Sequence, residues 1–354
     1  MYDVIIIGSG PAGANAALVC ANLGIKTLVL EKEKLPRDKP CGGAMPSSVE
    51  QLIPIDISPV IKNRVKYFEM YHNYKDKVMN SFPDKSDIIL VNRNEFDKFL
   101  LDGAQSMRGN KVQVREESMV ISLKEENDWV CVTLKNGEEL RSKYLISAEG
   151  ALGKVASELH QLTKRKFVPT LEAEVITTDA YYNAHVDRVL INYFCLPQGY
   201  GWIFPKDKNR FSCGVGTGKV LNLKRQLNTF MENSFPKGSV LEMKVSGYPI
   251  PIYQGTKPIA SNRILLAGDA ASFVDPVTGE GIRFALHSGR LAAEIIGKVL
   301  RDDALEETES FISDMYQKVI QEQIGKELKH TLSFASLAFN HSPSLYYKKF
   351  IQQI

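Results

Sequence analysis

The chain has 354 residues, 44% hydrophobic and 24% charged, and its 44 basic and 41 acidic side chains leave a formal charge of +3. That length can bury one large two-layer unit or two domains sharing a core, and so even a charge, with no basic run, excludes a phosphate-gripping nucleic-acid surface. The five cysteines (Cys20, Cys41, Cys131, Cys195, Cys213) are scattered without a CxxC pair, which argues against a disulfide framework or metal site and for a reducing cytoplasm.

Met1 is followed almost at once by the apolar run Val4-Ile5-Ile6-Ile7. There is no basic leader, and no later stretch nears the roughly 18 consecutive apolar residues of a spanning helix. Residues 2–7 predict a buried parallel strand, Pro11 to Leu23 an Ala-rich helix stopped by Gly24, and Lys26 to Leu30 a second strand. A Pro/Lys-rich loop from Leu35 to Pro46 precedes a strand at Val65–Tyr71. Asn94 to Met107 places Phe96, Phe99, Leu100 and Ala104 on one helical face. Val112–Leu123 and Trp129–Leu134 read as strands, and Asn136-Gly137 turns the second into Leu140–Ser147. Strands then dominate (171–178, 188–195, 201–204, 211–216 and 240–248), with one helix near 221–233. Ile264–Ala267 is a short buried strand, Gly281–Leu300 an amphipathic helix, and the tail from Leu305 helical. No repeat or linker separates residues 1–45 from 264–300, so a discontinuous domain must unite them.

Gly8-Ser9-Gly10-Pro11-Ala12-Gly13 is a GxGxxG fingerprint in its full strand–turn–helix context. Gly8 permits the tight turn, Gly10 lets the backbone approach a pyrophosphate, and Gly13 permits close helix–strand packing. The helix amino terminus offers unpaired N–H groups to phosphates, and Glu31, ending the second strand, can accept from a ribose diol. A second block, Gly268-Asp269 followed by Gly279-Glu280-Gly281-Ile282, ends a strand in an acid and opens a long helix. The acid can hold a ribityl hydroxyl, and the helix end can stabilise negative charge on an isoalloxazine ring. That points to FAD rather than NAD, although Asp269 alone could be a helix cap. Tyr200, Trp202 and Phe204 alternate onto one face of a strand, an aromatic wall suited to an apolar chain or to packing on the sheet's own core. Gly214 to Gly218 lacks the context of a second nucleotide site.

The opening fingerprint, Lys39-Pro40-Cys41-Gly42-Gly43-Ala44, Tyr200-Gly201-Trp202-Ile203-Phe204-Pro205 and the Gly268-Asp269 block together resemble the geranylgeranyl reductase family. That family belongs to the flavoprotein superfamily that includes p-hydroxybenzoate hydroxylase, and the match runs over roughly residues 1 to 300. The resemblance implies an α/β fold, in which a Rossmann-like FAD-binding domain carries an inserted, mostly antiparallel β-sheet substrate domain and a C-terminal helical tail. The FAD-binding domain would comprise 1–60, 91–165 and 256–304, the substrate sheet 61–90 and 166–255, and the tail 305–354. Gly8, Gly10, Pro11, Ala12, Gly13, Glu31 and Lys32 would hold the ADP half. Cys41, Gly42 and Ala44 would lie beside the flavin, Arg93 would reach the phosphate–ribityl region, and Val120 would meet the adenine. Asp269, Gly279, Gly281 and Ile282 would bind the ribityl chain and ring. Arg93 could instead form a salt bridge with Glu95 or Asp97, and Cys41 could be a buried filler. The superfamily's usual Asp-Gly is Glu149-Gly150 here.

Members of the family reduce isolated double bonds of polyprenyl chains in lipid, quinone or chlorophyll precursors. The expected reaction delivers hydride from reduced flavin to one carbon and a proton to the other, with Cys41 and Tyr200 as candidate proton donors. Aromatic rings, Trp202 among them, would stabilise developing positive charge. The partners implied are a prenylated lipid or quinone and an external electron donor, reduced ferredoxin or NAD(P)H, with no nucleic acid and no metal. Phe339, Leu345, Tyr346 and Phe350, with Lys348 and Lys349, could form an interfacial helix or a helix capping the flavin domain, so the expected location is cytoplasmic with peripheral membrane contact. Two alternatives remain at this level: an aromatic or quinone monooxygenase using NAD(P)H and oxygen, and a flavin-bearing redox sensor without turnover.

Overall fold

In a computed structural model the described residues are 1–82, 87–107, 109, 111–154, 165–219, 221–255, 258–301 and 311–340. The fold is mixed α/β, built on two seven-stranded sheets and a small three-stranded one. In the first sheet, Tyr2–Ile7 lies between Thr27–Leu30 and Glu139–Ser147, parallel to both, while Val112–Arg115 and Ile264–Leu266 extend the parallel set. The chain's early and late segments therefore meet across one sheet. Val4, Ile5 and Ile6 are fully buried because both faces of this strand are covered. The turn at Asn136-Gly137, with Gly137 at φ +87, adds the antiparallel strand Val130–Leu134 to Glu139–Ser147.

On one face of this sheet pack the helices Pro11–Asn22, Arg93–Ser106 and Ile282–Val299. The first and third cross in close contact, since a Cβ added to Gly289 would stand 2.1 Å from the Ala12 carbonyl oxygen. The helix Phe311–Ile320 is tied to the same body through Tyr316, whose buried hydroxyl donates to the Leu266 carbonyl at 2.7 Å.

The second sheet runs in the order Val240–Ile252, Lys166–Thr177, Arg210–Thr217, Gly199–Pro205, Arg188–Tyr193, Tyr67–His72 and Lys75–Ser81. Its pairs are antiparallel except Arg188–Tyr193 with Tyr67–His72. The helix Leu223–Ser234 covers one face through Leu227, Phe230 and Met231.

Three expectations change. The strand predicted over 112–123 divides into Val112–Arg115 and Val120–Glu125, with Glu117 at φ +53 between them. The loop predicted to run to Pro46 ends in the short strand Ala44–Pro46, which pairs with Ile88–Val91. A short helix, Asp179–His185, also fills the stretch left unassigned between the strands predicted over 171–178 and 188–195, its amino end capped by the Thr178 hydroxyl. Apolar alternation carries no trace of such short or bent elements.

Candidate functional site

A cavity of about 300 Å³ opens where the first sheet's strands end. The fingerprint forms its floor. Gly8 sits at φ +97 and a Cβ there would stand 2.4 Å from the Ala148 carbonyl oxygen, while one on Gly13 would stand 1.9 Å from the Gly8 carbonyl oxygen. Both glycines thus lock strand, turn and helix together. Gly10 differs: its added Cβ would meet only the Arg37 and Arg93 guanidinium groups, at 3.7 and 3.8 Å. It caps the helix without a side-chain bond, so unpaired N–H groups face the cavity between two cations.

Glu31 is buried at the second strand's end. Its carboxylate accepts from the Ser9 hydroxyl and amide, and Arg37 approaches at 3.4 Å. Burial opposes ionisation, yet these donors hold the carboxyl below its ordinary range. Arg93 forms a bidentate pair with Asp97, at 2.9 and 2.7 Å, and also stands beside the Cys41 side chain. The salt bridge and the cavity position weighed for Arg93 therefore coexist.

The late segment supplies the opposite wall. Asp269 lines the cavity, with burial raising its pKa against the pull of Lys39, Arg93 and Arg165. Gly281 caps Ile282–Val299 without a side-chain bond, so a second open helix end faces the same space. Lys39 lies over the Tyr248 ring, and burial pushes its ammonium down to about 7 despite Asp269.

A second cavity of about 290 Å³ adjoins the first, and Ile250 and Gly279 line both. Tyr200 and Trp202 form one side, Val168 and Ile252 extend it, and Leu332, Ala335 and Phe339 of the helix Lys326–Asn340 roof it. Tyr200 donates its hydroxyl to the Thr278 carbonyl, and burial pushes its pKa upward. Gly279 is at φ +69, where a Cβ would stand 2.5 Å from that hydroxyl. Gly214 leaves room for the Trp202 ring, 2.3 Å from where its Cβ would be.

Of the predicted cofactor residues, Gly8, Gly10, Pro11, Ala12, Glu31, Lys32, Cys41, Arg93, Val120, Asp269, Gly279, Gly281 and Ile282 line the first cavity. Gly13, Gly42 and Ala44 do not. Gly13 serves packing, Gly42 presses against Phe204 and Trp202, and Ala44 pairs with Leu90 in the small sheet. Cys41 and the Tyr200–Trp202 pair lie on different cavities. Phe339 lines the second cavity, and residues 345–350 lie outside the described residues. The fingerprint's variable residue Ser9 and the cations Arg37 and Lys39 also line this cavity and were not predicted as site residues. Ser9 carries no periodic signal, and only the folded chain brings its partner Glu31 near.

The cavity fits FAD in the chemistry it presents: two uncapped helix ends, three cations at the phosphate-facing glycine and the adjoining turn, a ribose acceptor in Glu31, and a second acid in Asp269. Residues 1–211 match the family model described as "FAD binding domain". The chain belongs to this family. It is an FAD-dependent oxidoreductase, and FAD is its cofactor. The flavoprotein is 29% identical over 353 residues to a protein of Methanocaldococcus jannaschii named digeranylgeranylglycerophospholipid reductase, covering 93% of this chain and 86% of the relative. It is 28% identical over 355 residues to digeranylgeranylglycerophospholipid reductase 2 of Methanococcoides burtonii, covering 94% and 82%. Its fold matches that of a geranylgeranyl bacteriochlorophyll reductase-like protein of Thermoplasma acidophilum with a TM-score of 0.85, at 24% identity, over 98% of this chain and 90% of the other. Among the flavoprotein's described residues no helix is long and apolar enough to cross a membrane.

Proposed function

We propose that this flavoprotein saturates isolated carbon–carbon double bonds in a polyprenyl chain of the geranylgeranyl class. The observation that carries the reading is the pair of joined cavities. One holds the fingerprint turn with Glu31 and Asp269, the other sets Tyr200, Trp202, Phe339 and Ile252 beside Lys166, Gln198 and Gln254, and they share Ile250 and Gly279. Relatives named as reductases of a digeranylgeranyl lipid support the substrate class.

Bound and reduced, FAD supplies the hydride. The protein's part is to hold the chain beside it, exclude water and deliver a proton. An isolated alkene has no carbonyl to take up charge, so positive charge develops on carbon. Tyr200 and Trp202 offer ring faces that stabilise such charge by up to about 2 kcal/mol when desolvated. The Tyr200 proton is committed to the Thr278 carbonyl and its pKa is raised, which makes it a poor donor. Cys41, at the first cavity beside Arg93, is the better proton source. Electrons come from an external donor, reduced ferredoxin or NAD(P)H, because the sequence carries one fingerprint only. A prenyl lipid substrate further implies peripheral contact with the membrane from the cytoplasmic side.

The test is mass spectrometry of geranylgeranyl lipids and prenylquinones after incubation with dithionite-reduced protein. The reading expects mass gains of one H2 for each bond saturated. Fully reduced flavin that leaves every prenyl compound unchanged overturns it, and oxygen uptake stimulated by a small aromatic compound would mark a hydroxylase instead.

A further inference from the structure

The turn carrying Cys41 and the aromatic strand Gly199–Pro205 are far apart in sequence, and a third segment joins them. Glu172 projects from the strand Lys166–Thr177 and is buried, at 6% exposure. One carboxylate oxygen accepts the Cys41 backbone N–H, and the other accepts the Ser212 hydroxyl at 2.6 Å. The Ser212 oxygen in turn receives the Trp202 indole N–H at 3.4 Å. Beyond Cys41 the turn is pressed onto the same strand, since a Cβ on Gly42 would lie 2.8 Å from the Phe204 ring and 3.4 Å from the Trp202 nitrogen. Its far end is held by the Val91 N–H, which donates to the Gly43 carbonyl at 3.0 Å. Glu172 is thus the anchor of the turn's near end, inside a run of glycines that has no stiffness of its own.

We propose that Glu172 is a positioning residue, which fixes the Cys41 turn against the aromatic strand and so sets where the thiol stands relative to the joined cavities. Burying a carboxylate is costly unless its hydrogen bonds are satisfied. Burial raises the pKa of Glu172, and the buried Lys206 nearby pulls it back toward the charged form. An acid kept in this position by two donors and a cation acts on geometry, because it does not line either cavity. The inference rests on the reductase reading for its purpose but not for its test.

The experiment measures the rate at which iodoacetamide modifies Cys41 in FAD-loaded protein, followed by peptide mass spectrometry, with Cys195 as internal reference. Glu172→Ala should raise the Cys41 rate by about tenfold or more, the scale of losing a hydrogen bond to a charged group, while FAD content and the Cys195 rate stay at wild-type values. Glu172→Gln keeps an acceptor for the Cys41 amide and should restore the wild-type rate. Should Glu172→Ala fail to fold, Ser212→Ala, which frees one side of the carboxylate, should show a smaller rise in the same sense. A wild-type Cys41 rate in the alanine variants, or equal acceleration of Cys195, overturns the assignment. The labelling needs no turnover, so it can succeed where the reductase reading fails. With a prenyl substrate, Glu172→Ala should lower kcat more than it changes KM, and Glu172→Gln should recover it.

Discussion

Lys39 shows how much a single residue's surroundings can alter its chemistry. It faces Asp269, Arg93, Arg37, Cys41 and the Tyr248 ring, and burial brings its pKa down from 10.5 to about 7. Between those two values the unfolded chain binds a proton that the folded chain has lost, so this site adds stability as pH rises through that window. Below about pH 7 the folded protein carries the full penalty of the buried ammonium. Lys39→Met should therefore stabilise the flavin-free protein at or below pH 7, and its advantage should shrink as pH climbs toward 10.5. Thermal denaturation across a pH series measures this. A difference between the two proteins that does not vary with pH would show that Lys39 stays protonated in the folded state throughout.

Helices, strands and turns are held together here by absent side chains, and two glycines separate packing from cofactor approach. Gly289 lets the helix Ile282–Val299 touch the fingerprint helix, with the Ala12 carbonyl oxygen 2.1 Å from where its Cβ would be. Gly289→Ala must push apart the two helices whose amino ends face the cavity. It should cost about 1–3 kcal/mol, as overpacking does, and lose FAD as well. Gly10→Ala has space within the protein, with its nearest neighbours 3.7 Å or more away. It should leave the melting temperature of the flavin-free protein unchanged while abolishing tight FAD binding, because the methyl occupies the path of the pyrophosphate. Calorimetry and flavin fluorescence titration read the two effects separately. Equal losses of stability in both variants would show that Gly10 serves packing alone.

At the scale of the molecule, the second cavity is assembled from stretches distant in the chain, among them the strand Lys166–Thr177, the aromatic strand, Ile250 to Gln254, the turn at Pro276–Gly279 and the helix Lys326–Asn340. The Phe339 ring meets that of Phe194 at a tilt, 5.5 Å between centroids, and its carbonyl accepts from Gln198 at 3.4 Å, which ties the helix down. Leu332 lines the same roof. Leu332→Glu would replace an apolar part of that roof with a carboxylate, against which a prenyl chain has no apolar surface to bury. It should raise KM for a prenyl substrate about tenfold or more while leaving FAD content at wild type, as steady-state kinetics and flavin absorbance would record. An unchanged KM would place the prenyl chain elsewhere.

The sequence by itself determined the fingerprint turn, the two parallel strands around it, the Asn136-Gly137 hairpin and the long amphipathic helix. Each is set by local chemistry: glycines where φ is positive or backbones touch, and apolar periodicity over a whole element. It also brought Glu31 and Asp269 forward as acids at strand ends, and both line the first cavity. Tertiary structure alone decided the rest. Arg37 and Lys39 join Arg93, which the resemblance had already brought forward, on one cavity only after the sheet has ordered segments that are distant in the chain. Gly42 and Ala44, close neighbours of Cys41 in sequence, turn away from that cavity because one packs on Phe204 and the other enters a strand. Glu172 sits in a strand whose alternation says nothing of Cys41. Its role comes from a hydrogen bond spanning 131 positions of the chain, and no local pattern encodes such a contact.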